Sequence, residues 1–371
     1  MPWIDTTTLP PLPAPVWFIL FWKVAGFVLH TVFMHLWLVA FPIAMILHWK
    51  GCSQGQQWAG RLIRPMPIYI ALGVNLGIVP LLFIQLLYPR AFYPATILMA
   101  WHWLLIIPLL IPAYFGVYRY AFALPKETPI PPGTRAWGWG SALFFLLIGF
   151  LFVNGLILTA RPEVWEEIWL DKEIAAAATG FGSAIREATL FPRWMLMLAL
   201  GLGTTAVWTL WDRVWLWKNP PEEYVRWSNR FISWAAVFGS FLFLLAGSHY
   251  LFMALPDETC SAMLRWPLLP FTLAAAIGPP LCAGAVLYVV RRNSAPTPFQ
   301  TLLPIGLQLF SLSTNAISRQ ALQSWELGSF YPLSAMSVQT EISPLLLFLG
   351  TLTLGILVLV WMLYRSLPNS T

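Results

Sequence analysis

A chain of 371 residues is long enough for two or three soluble domains, but 58% of it is apolar and only 10% charged, where a soluble domain carries roughly 25% charged residues. So little charge cannot clothe a water-facing surface. The composition therefore points to an all-α polytopic membrane bundle and excludes intrinsic disorder, nucleic-acid binding and a secreted disulfide scaffold. A net charge of +6 and 22 tryptophans fit basic inner loops and aromatic belts at the bilayer surface.

Apolar windows of about 20 residues predict nine spans within one integral-membrane domain covering 1–371. In chain order they are 23–49, 65–87, 94–118, 137–160, 194–211, 231–255, 267–290, 301–318 and 344–363. The N-terminal stretch before the first span holds Asp5, several prolines and no Lys or Arg, so it lacks the basic start of a cleaved signal peptide and the first helix is expected to stay. Interior Pro42, Pro80, Pro108, Pro112, Pro279, Pro280 and Pro304 predict kinks. Placing the N-terminus outside puts 13 of the 21 Lys and Arg residues on the inner side, so the basic-residue bias favours N-out and C-in, as in a multi-pass protein of a bacterial cytoplasmic membrane.

The loop 161–193 is the longest outer one. Glu163, Glu166, Glu167, Asp171 and Glu173 stand beside Val164, Trp165, Ile168 and Trp169 at helical spacing. That pattern predicts an amphipathic helix lying on the outer membrane surface with its apolar face down, or a solvated connector. Its acids form a candidate platform for a basic partner such as a c-type cytochrome, steered by charge.

The three cysteines, Cys52, Cys260 and Cys282, are isolated, which argues against covalent haem attachment and a thiolate zinc site. The five histidines carry more information, since all lie in or beside apolar spans, where an imidazole is costly and usually retained for a purpose. Counted from the predicted span ends at about 1.5 Å per residue, His30, His102 and His249 all lie roughly 10–12 Å below the outer surface. Three histidines from three helices at one level suit haem b, whose iron takes His/His or His/Met axial ligands; Met34, Met99 and Met253 lie nearby in sequence. His35 falls nearer mid-membrane and His48 at the inner boundary. Interhelical hydrogen bonding by neutral histidines is the plainer alternative, and zinc or copper at the same three histidines is a weaker one.

The eighth span adds Gln308, Ser311, Asn315 and Ser318 on one helical face, followed by Arg319 at the outer mouth. That face is expected to line a cavity, with Arg319 facing a haem propionate or a quinone site, or else to be packing glue.

The stretch FVLHTVFMHLWLVAFPIAMILHWKG followed by WAGRLIRPMPIYIALGVNLGIVPLLFIQLLYP resembles the opening of the quinol-oxidising subunit of cytochrome bd oxidases. The resemblance covers about the first 90 residues and implies nine spans, an external N-terminus, outer-side haems and a haem-ligating histidine at His30 or His35. The chain departs from that family in having no histidine in the fifth span, a short connection between the sixth and seventh, and no carboxylate within the second or third. Those departures remove the expectation of oxygen reduction. The function expected is a membrane subunit that exchanges electrons between quinol and haem carriers near the outer face. A permease and a cofactor-free anchor subunit are the alternatives.

Overall fold

The structure, a computed structural model, describes residues 11–124, 129–292, 296–328 and 330–366. It is an all-α bundle with one two-stranded hairpin. Helix α1 (Val16–His35) passes through a π-helical turn, Leu36–Ala40, into α2 (Phe41–Lys50), followed by a short α3 (Ser53–Ile63). Next come α4 (Met66–Leu87), α5 (Pro89–Leu98), α6 (Ala100–Ala123), α7 (Pro132–Ala160) and α8 (Trp165–Lys172). Strands β1 (Glu173–Ile174) and β2 (Ala177–Ala178) pair antiparallel. The remainder is α9 (Leu190–Trp211), α10 (Glu222–His249), α11 (Asp257–Met263), α12 (Leu269–Arg292), α13 (Pro298–Glu326) and α14 (Ile342–Ser366).

Seven helical segments among the described residues are long and apolar enough to cross a bilayer, and the chain is an integral, multi-pass membrane protein. The long helices run up and down, which leaves two ends to the bundle. The start of α1, the α4–α5 junction, the 161–189 segment and the ends of α10 and α13 share the amino-terminal end. The end of α2, the starts of α7 and α10 and the end of α9 share the opposite one. Long-range contacts agree with this division: Arg193 near the start of α9 reaches Glu326 at the end of α13, while Arg61 of α3 reaches Asp212 just after α9.

The interior prolines do not end their helices. The helices run unbroken through Pro80, Pro108, Pro112, Pro279, Pro280 and Pro304. In the first span the backbone widens instead. Pro42 has no N–H and its ring crowds the carbonyl four residues back, and the turn before it relaxes to a π-helix in which Phe41 N–H bonds to Leu36 O. Two further π turns follow α9 and α10, at Asp212–Leu216 and Tyr250–Ala254.

Three expectations need correction. The first helix begins at Val16, so Lys23 is two turns inside it and 7% exposed, rather than marking its mouth. The third span begins at Ala100, because the chain breaks at Met99 (φ −110°, ψ 30°) and 89–98 form a separate helix. The amphipathic helix is only the eight residues of α8, and part of its apolar side is covered by protein while Trp169 and Leu170 are exposed. Val164, Trp165 and Ile168 pack on the cluster of Ala95, Met99, Ile157, Leu158, Ala184 and Leu190, with Trp165 Nε1 donating to Leu158 O at 2.8 Å.

Candidate functional site

The new helix ends change the histidine depths. His30 follows Val16 by fourteen residues, about 21 Å along the helix, whereas His102 follows Ala100 by two, about 3 Å. His249 is the last residue of α10 and is exposed. Among the described residues no three His, Cys, Asp or Glu side chains gather on a common point. Each histidine has its own surroundings.

His30 sits where α1 meets α4. Gly73 and Gly77, one turn apart on α4, let the two helices approach. A Cβ at Gly77 would lie 2.8 Å from the imidazole, and one at Gly73 would lie 2.8 Å from Trp37 Nε1. His30 Nδ1 donates to Gly73 O at 2.6 Å. Since a carbonyl only accepts, the proton is on Nδ1 and the Nε2 lone pair is left free. A hydrogen bond of that kind is the usual second partner of a metal-binding histidine.

His102 has the same tautomer by the same logic. Its Nδ1 donates to Gly182 O at 3.2 Å, in the segment that folds over the α5–α6 break. Gly180 and Gly182 close that segment onto Trp101 and Leu98 by backbone bonds of 3.0 and 2.8 Å. Asn154 Oδ1 accepts from Ala184 N–H at 3.1 Å and fixes the same segment.

The amino-terminal end of the bundle, where the last turns of α13 pack, holds a group of cations that exceeds its carboxylates among the described residues. Lys23 Nζ donates to Gln320 Oε1 at 2.5 Å and Gln323 Oε1 at 2.6 Å, and stands 5.2 Å from the centre of the Tyr88 ring. Burial raises the Tyr88 hydroxyl pKa, against the pull of its bonds to Ser324 and Gln320, so Tyr88 stays neutral beside that ammonium. Arg319 is exposed and lies over the Phe27 ring at 4.6 Å, and Phe27 in turn meets the His30 ring at 6.4 Å. Arg193 is tied to Glu326 at 3.3 Å and to the Tyr250 hydroxyl at 3.1 Å. Among the described residues, Lys23, Arg319 and Arg193 thus make a single ion pair, that of Arg193 with Glu326. At the rim, burial works against the charge on Arg161, but its bond to Glu163 and the charges of Glu187 and Glu163 more than offset that and raise its pKa.

Deeper in the bundle, α1, α9 and α13 are joined by a chain of polar bonds. Gln308 Nε2 donates to Thr204 Oγ1 at 2.9 Å, and His35 Nδ1 meets the same hydroxyl at 2.9 Å. Thr204 passes its own proton to Leu200 O at 3.2 Å. A cavity of about 10 Å³ beside Gln308, Gly203 and Ser240 is near the lower limit for one water. Ser311 and Asn315 spend their polar atoms on Leu307 O, Ser311 O and Ala275 O, so this part of the stripe acts as packing glue between α12 and α13.

Sequence reasoning singled out His30, His102, His249, His35, Arg319, Gln308 and Asn315. The structure joins His35 to Gln308 through Thr204, and brings His30 to Arg319 across Phe27. Thr204, Lys23, Gln320 and Gln323 were missed. A lysine two turns inside an apolar helix was the available signal for Lys23; its partners Gln320 and Gln323 lie about 300 residues away and carried none. No family model matches this chain, and no curated protein matches it.

Proposed function

We propose that the chain is a membrane subunit of a respiratory-type electron-transfer complex, exchanging electrons between quinol and haem carriers near its amino-terminal end. The observation that carries this reading is His30, with Nδ1–H held by Gly73 O and Nε2 free, beside Arg319, which no carboxylate answers among the described residues. These residues fit haem b: His30 Nε2 would hold the iron, with Gly73 O fixing the imidazole, and Arg319 would pair with a propionate. Haem would supply one-electron storage there. His102, with the same tautomer, is the second candidate ligand, and His249 stands exposed for a partner to cover. His35 is the weaker candidate because Thr204 and Gln308 already enclose it.

We also propose nine spans, counting α13 and α14, with the N-terminus outside a bacterial cytoplasmic membrane. The excess of Lys and Arg on the opposite end supports that orientation. An external basic c-type cytochrome would then meet Glu166 and Glu167, which have no ion-pair partner among the described residues, whereas Glu163 and Asp171 are taken by Arg161 and Lys172. A cofactor-free anchor is the second reading, favoured by Lys23 and His35 being satisfied by neutral neighbours.

The purified chain is expected to show a reduced-minus-oxidised α-band that His30→Ala abolishes and His48→Ala leaves. His48 pairs with the Tyr120 hydroxyl at 2.7 Å, at the far end of the bundle. A chain with no haem band, folded and complete, overturns the reading and leaves the anchor.

A further inference from the structure

At the opposite end of the bundle a groove of about 450 Å³ opens between Trp49, Pro132, Arg135, Ala136 and Trp139. It lies where α2 ends and α7 begins. The Trp49 and Trp139 rings meet edge to face at 6.0 Å. Lys50 Nζ lies 4.4 Å from the Trp49 ring centre. Arg135 spends only Nη2, on Ile130 O at 3.2 Å. Arg135 therefore lines the groove with donors to spare, and Lys50 stands over the ring of Trp49, another of its walls.

No described residue from 11 to 162 is an Asp or Glu. In the loop between α6 and α7, Lys126 and Glu127 cancel in charge. The described carboxylates at this end are committed elsewhere: Asp212 to Arg61, Glu222 to Arg226 and Glu223 to Gln54. The groove is thus positive at its polar edge.

Its walls are aromatic, and they continue into the lipid-facing surface. Leu143 is one turn beyond Trp139 on α7 and 55% exposed; Ile46 is one turn before Trp49 on α2 and 51% exposed. Side chains four and three apart share a helix face. A ligand filling this groove needs an acidic head beside Arg135 and Lys50 and an apolar body running along Trp139, Leu143 and Ile46. Paired tryptophans at the end of a span are the usual register of the headgroup layer, and basic groups there attract anionic lipid.

We propose that this groove binds an acidic phospholipid, its phosphate held by Arg135 and Lys50 and its acyl chains lying on Trp139, Leu143 and Ile46. The inference is independent of the haem reading, because it uses none of the same residues.

The full chain, purified in a neutral detergent, is titrated separately with phosphatidylglycerol, phosphatidylcholine and glycerol phosphate while its melting temperature is followed. Phosphatidylglycerol is expected to raise Tm and the other two to leave it near the starting value. The double variant Lys50→Gln, Arg135→Gln is expected to bind phosphatidylglycerol at least about tenfold more weakly, since losing even one of the two charge-assisted bonds costs that much. Equal shifts with both lipids, a full shift with glycerol phosphate alone, or an undiminished shift in the variant each overturn the proposal. Native mass spectrometry of the wild-type chain gives a readout that does not need the variant to fold: one phosphatidylglycerol retained through delipidation supports the site, and none retained overturns it.

Discussion

The two ends of the bundle handle buried charge in different ways. At the opposite end, Arg61 grips Asp212 with two bonds of 2.6 and 2.9 Å, under the Trp217 ring at 4.3 Å, and the Asp212 side chain is 4% exposed. Arg213 beside it is taken up by Ser228 at 2.8 Å and by Asn229. At the amino-terminal end, Lys23 is answered by two neutral amides and Arg319 by a phenyl face. The first arrangement pairs its carboxylate and locks α3 to the end of α9, although Arg213 Nη2 finds no hydrogen-bond partner among the described residues. The second leaves positive charge in excess and one arginine open, as a binding region does. Arrangements that are closed by design should fail when a partner is removed; open ones should tolerate removal and lose only ligand.

Asp212→Asn is the sharpest way to break that contrast. It strips the carboxylate from Arg61 and leaves two arginines with neutral partners, a loss of about 3–5 kcal/mol when a buried pair is broken. Lys23→Met removes a charge that no carboxylate balances, and strands only two amide oxygens, for about 1–3 kcal/mol. Unfolding free energies in mixed micelles should rank them in that order. Equal losses would mean that the amino-terminal end is closed as tightly as the other.

Gly77→Val comes next. The added Cβ meets the His30 ring at 2.8 Å, so α1 and α4 must part, at about 1–3 kcal/mol for overpacking. The same displacement should disturb any group bound to His30 Nε2, so the variant should lower both the melting temperature and the haem content. A normal haem content at reduced stability would separate the helix contact from the ligand site.

The smallest effect is expected at α8. Glu166 and Glu167 are exposed and unpaired, so Glu166→Lys with Glu167→Lys should change stability by less than about 0.5 kcal/mol. The rate of electron transfer to an external basic cytochrome should fall, and its salt dependence should flatten. An unchanged rate and salt slope would leave α8 as a cap on the loop behind it.

The long helices were legible because twenty apolar residues in a row have few places to go but a bilayer. Their ends were harder to read. Lys23 looks like the mouth of a span because a lysine seldom sits inside one, and nothing local reveals that Gln320 and Gln323, about 300 residues later, receive it. Pro94 looks like a helix start, yet the break falls at Met99, where the chain turns for tertiary reasons. The amphipathic pattern of α8 was correctly seen, but periodicity says only that one face is covered, and the 180–184 segment and α7 supply the cover. Five histidines in apolar surroundings stood out at once. Their depths did not survive the corrected helix ends, and the partners of four of them, His30, His35, His48 and His102, are Gly73, Thr204, Tyr120 and Gly182, none adjacent in sequence. Thr204 carries no signal of its own in a helix that also holds Thr205 and Thr209.

The central claim is that His30 Nε2 is held ready for iron. The most direct measurement is the reduced-minus-oxidised spectrum of purified His30→Gly, recorded without and with added imidazole. Loss of the α-band in the variant and its return with imidazole, which can occupy the vacated place against Gly73 and Gly77, is the result predicted. A band that persists unchanged in His30→Gly, or that is absent from the wild-type chain as well, would contradict it.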